Sequence, residues 1–454
     1  MFDKLKGFLA GIDAEYADIR YEVKKTASLS FAGKELTGIG ANSTDGFVVR
    51  ALAGGGLASV AFTKEADARK AAATAVENAR LIGRTIKKPV SLAPVEAVKD
   101  SFSPPLKEDP RGVPIEAKLE LLRRYNDIPL SHEKIATTAL AYADVARERH
   151  FASTEGHEVR EDLVTTRITG EIVARDGSLT QNVRVAVGGS QGFQHVRGAE
   201  AVFEERTKIA LDLLQAEPVR GGKYDCVLNP SLAGVFAHEA FGHLSEADIV
   251  ETLPAMRERM RLGARLGSDL LSITDDATMP DQLGFYKYDD EGVPVRRRKL
   301  LENGVLVGRL HSRRTAAEFG EPVSGHTVAE DFRFSPIVRM GTIFIERGSL
   351  PIDSLLERLG DGVYVLDAKG GQTAGEEFSF GAQYGYGVRG GKKGRMVRDL
   401  NVSGNLYRTM MAVAAVGDDF ELAKAGGCGK GQTNIRSCHG APHVLVKDLV
   451  VGGV

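Results

Sequence analysis

The chain of 454 residues is long enough for two or three domains, and its composition, 43% hydrophobic and 26% charged, is that of an ordinary globular protein. Its formal net charge of −2 gives no bulk attraction to nucleic acid or to an anionic membrane, so we expect neither as a partner. Three cysteines in so long a chain do not make a disulfide framework and suit a reducing compartment.

The sequence carries no signal for a membrane span or for export. Its apolar stretches, such as residues 407–416, fall short of the roughly 18 residues that a transmembrane helix needs. Near the N-terminus, Asp3, Asp13 and Glu15 interrupt apolar residues at helical spacing, which predicts a short amphipathic helix and not a signal peptide. We therefore expect a cytoplasmic protein.

The first half of the chain alternates between strand and helix signals. Period-two alternation predicts strands within residues 17–62 and 135–187. Apolar residues at helical spacing predict helices over residues 64–83, 115–125 and 199–214. The proline-rich segment 87–113 predicts a linker or a long surface loop. Together these elements predict an N-terminal α/β domain with antiparallel strands and flanking helices over residues 1–217.

A second domain is predicted over residues 218–454, because proline and two glycines break the pattern between Pro218 and Gly222. The apolar run 224–228 predicts a buried strand, and either Asn229 or Ser231 is placed to cap a helix directly after it.

Beyond that helix, strand and turn signals dominate. The charged residues 255–266 predict one more helix. Strands are predicted over residues 285–289, 305–310, 338–345, 362–366 and 444–451. The predicted fold class is therefore α+β, with a β-rich C-terminal domain that carries a His-Glu motif on its first helix.

That motif, residues 238–243, consists of two histidines that bracket a glutamate. Neutral imidazoles hold Zn²⁺, and a nearby carboxylate can take a proton from water, as metal-dependent peptide hydrolysis requires. The zincin spacing, His-Glu-x-x-His, puts both histidines on one helical face. Here His238 and His243 are five residues apart, which leaves their rings about 140° apart on a regular helix. Both can hold one ion only if the helix widens, as in a π-bulge, or breaks, and Gly242 makes either easier.

Two histidines supply two ligands, and a catalytic zinc site usually has three protein ligands and a water. Glu246 and Asp248 follow the motif closely and are candidates for the third. Cys428 is another candidate, because its glycine-rich surroundings, residues 426–432, let the backbone approach a metal closely. A rival cluster of soft ligands is formed in the sequence by Cys438, His439 and His443.

The same residues have explanations that involve no metal. The two histidines could be hydrogen-bonded side chains of an ordinary helix, and Cys428 an idle thiol in a surface turn. Glu246 and Asp248 could belong to a solvated helix end, or could accept the second ring N–H of a ligand histidine. Cys226, on an apolar strand, is predicted to fill the core.

Four ordered blocks of the sequence resemble the TldD/PmbA family of metalloproteases, and its TldD-like catalytic branch in particular. The blocks are His238 to His243 with Glu246 and Asp248; Pro336 to Met340; Thr373 to Phe380 with its Phe-Ser-Phe; and a C-terminal block of Cys428-Gly429-Lys430 with Gln432, Gly440-Ala441-Pro442 and Val450-Val451-Gly452-Gly453. One departure is Gly341-Thr342, where the family has Thr-Asn.

The resemblance implies a zinc site in the C-terminal domain. Its ligands would be His238, His243 and Cys428, and Glu239 would be the general base. We place three further side chains around the metal or against the substrate, namely Glu246, Asp248 and Arg339.

The resemblance also implies partners. The N-terminal domain would form a dimer and its substrate chamber, either with a second copy of the chain or with a PmbA-like subunit that lacks the metal ligands. Unfolded or flexible peptides would enter the interior of that dimer. We therefore predict a zinc-dependent peptidase, with a non-catalytic metal-binding scaffold or a peptide-presenting subunit as the alternatives.

Overall fold

The computed structural model describes residues 1–424, 426–433 and 435–452. Gly453, which belongs to the C-terminal block of the resemblance, lies outside the described residues. Within the described part of the chain, no helix combines the length and the apolar character that crossing a membrane requires.

A twisted, mainly antiparallel sheet organises the first half of the chain. Its strands are β1 (Tyr16–Ala32), β2 (Glu35–Ala53), β3 (Gly56–Phe62), β4 (Lys99–Phe102), β5 (Ile135–Ser153), β6 (Glu158–Asp176) and β7 (Leu179–Ser190). They follow the order β3-β2-β1-β5-β6-β4, and β7 pairs with β6. The helices that flank the sheet are α1 (Phe2–Leu9), α2 (Ala68–Thr85), α3 (Ile115–Leu130) and α4 (Glu200–Leu213). Side chains of α2 and α3 pack on opposite ends of this sheet, in two separate apolar clusters.

The second half of the chain is rich in strands. They are β8 (Glu217–Pro218), β9 (Gly222–Leu228), β10 (Ile273–Asp275), β11 (Arg298–Glu302), β12 (Val305–Leu306), β13 (Thr327–Val328), β14 (Ile337–Val338), β15 (Thr342–Ile345), β16 (Gly362–Ala374), β17 (Glu377–Arg389), β18 (Lys392–Arg398), β19 (Asn401–Asn405), β20 (Val413–Val416), β21 (Glu421–Leu422), β22 (Cys438–Ala441) and β23 (Val444–Gly452). The α+β prediction is confirmed.

These strands form a large sheet of order β16-β9-β23-β19-β17-β18-β8 and a smaller one of order β12-β11-β10-β15-β22-β21. The accompanying helices are α5 (Pro230–Val235), α6 (His243–Ser245), α7 (Ala247–Val250), α8 (Pro254–Arg259), α9 (Arg313–Phe319), α10 (Ile352–Leu359) and α11 (Leu406–Met411). A π-helix, Phe236–Gly242, joins α5 to α6. The main apolar core lies between the two sheets and encloses this helical segment.

Several predicted elements differ from the observed ones. Residues 17–53 form one long hairpin, β1 with β2, where the sequence predicted several short strands. The segment 87–113 contains a strand, β4, which pairs in parallel with β6. The helix predicted over 64–83 begins at Ala68, after a 3₁₀ turn.

Two further predictions, in the C-terminal half, are wrong. The helix predicted over 255–266 ends at Arg259, and the chain then turns through Gly263 at a φ of +86°. Residues 285–289 are not a strand and make one isolated bridge, between Tyr288 and Pro294. The segment ends at a turn in which Asp289 Oδ1 accepts the backbone N–H groups of Glu291 and Val293 at 2.9 Å.

Candidate metal centre

The helical segment that carries the motif begins directly after the buried strand β9. Asn229 Oδ1 accepts the backbone N–H of Leu232 at 3.1 Å, and Pro230 occupies the first helical position. Of the two caps that the sequence offered, Asn229 is the one that acts. The helix is anchored by Phe236, whose ring packs edge-on against Phe378 at 5.5 Å between ring centroids.

The segment widens where the two histidines lie. Residues Phe236–Gly242 form a π-helix, in which hydrogen bonds link residue i to i+5. Residues five apart therefore come to lie near each other on one side, and the rings of His238 and His243 meet at 5.3 Å between centroids. The local widening that the five-residue spacing demands is present.

Gly242 has a different role from the one that the sequence suggested. Its φ of −56° and ψ of −48° are ordinary helical values, so the backbone freedom of glycine is not used. A Cβ at this position would lie 2.1 Å from Met340 Sδ and 3.0 Å from Ile343 Cδ1. Gly242 is therefore needed for close packing of the π-helix against Met340.

Cys428 reaches this helix from the C-terminal end of the chain. Its Sγ lies 3.1 Å from His238 Nε2 and 3.6 Å from His243 Nε2. The ligand atoms of these three residues all lie within 4.8 Å of one another. Within the described part of the chain, they form a group of side chains close enough to share one metal ion. We call His238, His243 and Cys428 the candidate metal centre.

The spacing of these atoms fits a zinc ion. A tetrahedral Zn²⁺ with Zn–S of about 2.3 Å and Zn–N of about 2.0–2.1 Å separates sulfur from nitrogen by roughly 3.6 Å. The sulfur of Cys428 is 3.6 Å from His243 Nε2 and 3.1 Å from His238 Nε2, so small shifts produce that geometry. Two imidazoles and a thiol are also the donor set that zinc favours.

The two histidines differ in their electrostatic surroundings. Burial lowers the pKa of His238 well below its usual value, and His439 and His243 lower it further, so His238 is held in the neutral form that a ligand needs. Burial alone would lower the pKa of His243 too, but hydrogen bonds with Cys428 and Glu246 raise it to about 9.

Glu239 lies beside the candidate metal centre without being part of it. Its Oε2 is 3.7 Å from His243 Nε2, and its side chain is about a quarter exposed. Burial raises the pKa of this carboxyl, against the opposing effect of His243 and Arg339. Its backbone carbonyl accepts a hydrogen bond from Thr373 Oγ1 at 3.0 Å, which ties the π-helix to strand β16.

Glu246 supports His243 from behind. Its Oε2 lies 3.2 Å from His243 Nδ1, and the carboxylate is fully buried. Lys430 Nζ lies 2.9 Å from the same oxygen, and it also donates to Asp248 Oδ1 at 2.8 Å. Burial alone would raise the pKa of Glu246, but the bond from His243 and the charges of Arg339 and Lys430 lower it. An ionised Glu246 fixes the ring of His243 with Nε2 toward Cys428.

Asp248 and Arg339 lie on either side of Glu246. Asp248 binds Lys430 and accepts the backbone N–H of Val338 at 3.3 Å. Arg339 is fully buried, with Nη1 3.6 Å from Glu246 Oε1, and its three guanidinium nitrogens have no hydrogen-bond partner among the described residues. Both residues therefore surround the candidate metal centre, and neither supplies a ligand to it.

The rival cluster of Cys438, His439 and His443 does not assemble. Cys438 Sγ lies 3.4 Å from the carbonyl oxygen of Ala423, and burial raises the pKa of its thiol to about 12. His443 binds Tyr364 and Asp419 instead. His439 packs its ring 5.8 Å from that of His238, as a neighbour and not as a member of the group.

Two contacts near the candidate metal centre were not predicted from the sequence. Lys430 bridges Glu246 and Asp248, although its only sequence signal is its position two residues after Cys428. Thr373 holds the carbonyl of Glu239, and its only signal is its place at the start of the Phe-Ser-Phe block. Both depend on chain segments that are distant in sequence.

Models of one protein family match the chain along most of its length. The PmbA/TldA metallopeptidase domain 1 matches residues 17–79, the central domain matches residues 108–215, and the C-terminal domain matches residues 221–453. The chain belongs to the PmbA/TldD family of metallopeptidases. The whole candidate metal centre falls within the part that matches the C-terminal domain.

Curated members of this family resemble the chain over most of its length or nearly all of it. A metalloprotease of Synechocystis is 34% identical over 443 residues, which cover 97% of this chain and 95% of the relative. A metalloprotease of Methanothermobacter thermautotrophicus is 32% identical and covers 99% of both. A zinc metalloprotease TldD homolog of Saccharolobus solfataricus is 31% identical over 71% of this chain and 72% of the relative.

Solved structures share the fold. TldE from Thermococcus kodakarensis superposes with a TM-score of 0.78 at 18% identity, over 100% of this chain and 99% of that one. A Thermotoga maritima protein superposes with a TM-score of 0.81 at 20% identity, over 100% of both chains. At this identity the likeness concerns the architecture alone.

Proposed function

We propose that this family member is a zinc-dependent peptidase that hydrolyses unfolded or flexible peptides. The observation that carries the proposal is the convergence of His238 Nε2 and His243 Nε2 on Cys428 Sγ, at 3.1 and 3.6 Å. The carboxylate of Glu239 lies beside them, 3.7 Å from His243 Nε2. When bound, zinc supplies Lewis acidity toward water and toward a carbonyl oxygen.

Glu239 is the general base in this proposal. Its carboxylate accepts a proton from the attacking water and afterwards returns that proton to the nitrogen of the leaving amine. Glu246 keeps His243 oriented, and Lys430 keeps Glu246 in place, so the ligand is fixed before substrate arrives. The hydrogen bond from Thr373 to the carbonyl of Glu239 steadies the backbone that carries the base.

The number of ligands favours a catalytic centre over a structural one. A closed structural zinc site has four protein ligands, whereas a catalytic site keeps one position for water. Among the described residues, the group consists of His238, His243 and Cys428, and neither Glu239 nor His439 belongs to it. This supports a peptidase in preference to the metal-binding scaffold and to a subunit that only presents peptides.

A peptide could bind as an added strand beside the metal. Residues 370–374 of β16 pair with β17 on one side. On the other side β9 pairs only with residues 363–365, and the N–H groups of Asp367 and Ala368 bond to Asn229 and Ser231. The free edge lies near Glu239, because Thr373 contacts its carbonyl. Backbone pairing along this edge would bind an extended peptide with tolerance of its side chains. A compactly folded substrate has no free strand to offer, so it should be cleaved much more slowly than the same sequence unfolded.

We propose further that the chain acts as a dimer, with itself or with a PmbA-like subunit, and that peptides reach the metal from its interior. The support is the family membership and the full-length likeness in fold to TldE. Mass measurement of the purified chain, alone and mixed with a PmbA-like partner from the same source, tests this.

The function is tested with a zinc-loaded chain and an unfolded peptide. Glu239→Gln should lower kcat by about 10²- to 10⁴-fold, because a general base is lost, while bound zinc per chain stays the same. Glu258→Gln, an exposed site on α8, is the matched control and should cleave normally. If the Glu239→Gln variant cleaves the peptide at the wild-type rate, Glu239 is not the general base. If the zinc-loaded wild-type chain cleaves no peptide, the proposed peptidase function is wrong.

A further inference from the structure

A second concave site lies next to the loop that carries Cys428. A cavity of about 260 Å³ lies between the face of strands β1, β5 and β6 and the chain segments around residues 283–288, 328–330, 426–427 and 435–437. Part of its wall is apolar and includes Leu163, Val328 and Ile435. The cavity reaches Gly426 and Gly427, which directly precede Cys428.

The charged side chains that line this cavity are mostly basic. There are five basic side chains against two acidic ones, namely Lys24, Arg147, Arg149, Arg167 and Arg436 against Glu161 and Glu330. Lys24 and Arg147 are direct cross-strand neighbours on β1 and β5. Like charges in that position are unfavourable in a sheet, so an anion bound between them would be favourable.

Both acidic side chains of the cavity accept hydrogen bonds from the protein itself. Glu161 binds Arg149 at 2.7 Å and accepts the backbone N–H of Lys287 at 2.7 Å. Glu330 accepts the backbone N–H and the hydroxyl of Thr433 at 2.8 and 2.9 Å. Glu161 forms its ion pair with Arg149 and acts on Arg436 only from beyond 4.0 Å, so two carboxylates face five cations in the lining of the cavity.

Arg147 and Arg149 form ion pairs with carboxylates that do not line the cavity. Arg147 binds Glu22 at 2.6 Å, and both arginines contact Asp290. The other three cations differ. Lys24, Arg167 and Arg436 have no carboxylate within 4.0 Å among the described residues. The unmatched charge of the cavity therefore comes from these three side chains.

Arg167 and Arg436 are held in place by backbone and hydroxyl groups. Arg167 Nη1 donates to the carbonyl of Gly426 at 3.1 Å, and this residue is two positions from Cys428. Arg436 donates from Nε and Nη2 to the carbonyl of Phe285 at 3.2 and 3.0 Å and from Nη2 to Ser190 Oγ at 2.5 Å, so Nη1 is the nitrogen it offers to a ligand. Burial lowers the pKa of Arg436 to about 10, which still leaves it charged at neutral pH. Both guanidinium groups thus remain cationic donors at fixed positions.

We propose that this cavity, which we call the basic cavity, binds a carboxylate of the peptide substrate, with Lys24, Arg167 and Arg436 as its ligands. The proposal rests on the proposed peptidase function and adds a specificity to it. The planar fork of arginine matches the two oxygens of a carboxylate, and lysine adds a point charge. Since Arg167 holds the loop next to Cys428, a carboxylate in the cavity would fix the distance along the peptide between itself and the bond that is cut.

The size of the cavity limits what can enter it. Pockets for drug-sized ligands are typically about 300–1,000 Å³, and this cavity is smaller, about 260 Å³. It therefore suits one amino-acid residue and not a length of chain. Two sources of carboxylate fit that size: the C-terminal residue of a peptide, or an aspartate or glutamate side chain within it.

Binding, measured separately from cleavage, tests the proposal. The probes are one fluorescent unfolded peptide with a free C-terminus, the same peptide amidated, and versions with each acidic side chain changed to its amide. They are titrated by anisotropy against zinc-loaded wild type and Glu239→Gln, so that binding is measured whether or not the peptide is cut. We expect about 10-fold or more weaker binding when the recognised carboxylate is removed, as for a hydrogen bond to a charged group.

Matched variants localise that effect. Lys24→Gln and Arg167→Gln should reduce the preference for the carboxylate, and the double variant should abolish it while the amidated peptide binds as before. Lys25→Gln and Arg175→Gln are controls, because Lys25 and Arg175 are exposed residues on the same two strands and line no part of the cavity.

Each outcome is informative. Loss on amidation identifies the C-terminal carboxylate, and loss on a side-chain change identifies an internal acidic residue. Equal binding of all peptides to wild type, or a preference that survives in the double variant, would overturn the proposal even if the enzyme cleaves peptides. Carboxylate-dependent binding with no zinc-dependent cleavage would instead support the cavity and refute the peptidase function.

Discussion

Two clusters of buried titratable side chains in this molecule contrast in their chemistry. In one, which we call the Asp290 network, Asp290 lies among Arg20, Arg147 and Arg149, with ion pairs of 3.3 Å to Arg20 and Arg147 and a closer one to Arg149. Glu22 pairs with Arg147 at 2.6 Å and Glu161 with Arg149 at 2.7 Å, so three carboxylates face the three arginines. The network joins the N-terminal sheet to a loop of the C-terminal half without any outside group.

The candidate metal centre has a different composition. His238, His243 and Cys428 place three electron-pair donors within 4.8 Å of one another, and no carboxylate belongs to that group. Charge-matched clusters are complete as folded, whereas a cluster of donors needs a cation from solution. Burial of titratable side chains therefore does not by itself indicate a binding site, whereas an excess of electron-pair donors over cations does.

The largest expected effect is at the Asp290 network. Asp290→Asn removes the shared anion from three buried arginines and should lower the free energy of unfolding by about 3–5 kcal/mol. Zinc bound per folded chain should not change. Chemical denaturation with metal analysis measures both, and Asp269→Asn, at an exposed position, is the control. A loss below about 1 kcal/mol would remove the distinction between the two clusters.

The stabilisation from Asp290 should also depend on pH. Burial alone would raise the pKa of Asp290, but the charges of Arg147, Arg20 and Arg149 hold the pKa below its usual value. A lowered pKa contributes stability that is present above the unfolded value of about 3.9 and is lost as pH falls toward the folded value. The stability gap between wild type and Asp290→Asn should therefore narrow below about pH 4. A gap that stays constant from pH 7 to pH 3 would contradict the ion-pair origin.

Packing behind the metal centre gives the next largest effect. Gly242→Ala would place a Cβ 2.1 Å from Met340 Sδ, and overpacking of this kind costs about 1–3 kcal/mol. The cost should shrink in a Met340→Ala background, which a double-mutant cycle measures. Gly7→Ala in α1, where a Cβ meets nothing within 4 Å, is the matched control and should not destabilise. Equal costs in both backgrounds would show that Met340 is not the reason for the glycine.

Removing the support of a ligand should weaken metal binding without abolishing it. Glu246→Gln deprives His243 Nδ1 of its carboxylate, and such changes lower metal affinity by about 10- to 100-fold. Competition with a zinc chelator measures the affinity. Glu251→Gln, which breaks a partly exposed ion pair with Arg314, should leave it unchanged. Full zinc affinity in Glu246→Gln would mean that Glu246 does not orient the ring.

The smallest effect is expected at the helix cap. Asn229→Ala removes the acceptor for the N–H groups of Leu232 and Asp367 and the donor to Asp367 Oδ1, and the lost cap alone should cost about 1 kcal/mol in the free energy of unfolding. Ser231→Ala, at the other cap that the sequence offered, should cost clearly less. If the two variants reverse in order, Ser231 is the residue that stabilises the start of this helix.

Local structure at the candidate metal centre could be predicted from the sequence, whereas contacts between distant segments of the chain could not. Counting residues per turn was enough to predict a widened helix between His238 and His243, because that geometry involves neighbouring residues only. The meeting of Cys428 with these histidines spans 185 residues or more, and no periodicity encodes it. Family resemblance, and not physical derivation, predicted that grouping.

The predicted lengths of the N-terminal strands were also wrong. The sequence predicted several short strands within residues 17–62, yet Gly38, Gly40 and Gly46 all lie inside the single long strand β2. A Cβ at Gly46 would meet the ring of Phe332 at 2.3 Å, so this glycine serves a contact with a residue far along the chain. The basic cavity escaped prediction for the same reason, because its unmatched cations come from β1, β6 and the C-terminal loop.

The central claim is that one zinc ion is held by two imidazoles and the thiol of Cys428. X-ray absorption at the zinc edge of the zinc-loaded chain tests it most directly. The account predicts nitrogen ligands with one sulfur at about 2.3 Å in wild type and in Cys438→Ser, and loss of the sulfur in Cys428→Ser. A zinc ion without sulfur in wild type, or with sulfur still bound in Cys428→Ser, would contradict it.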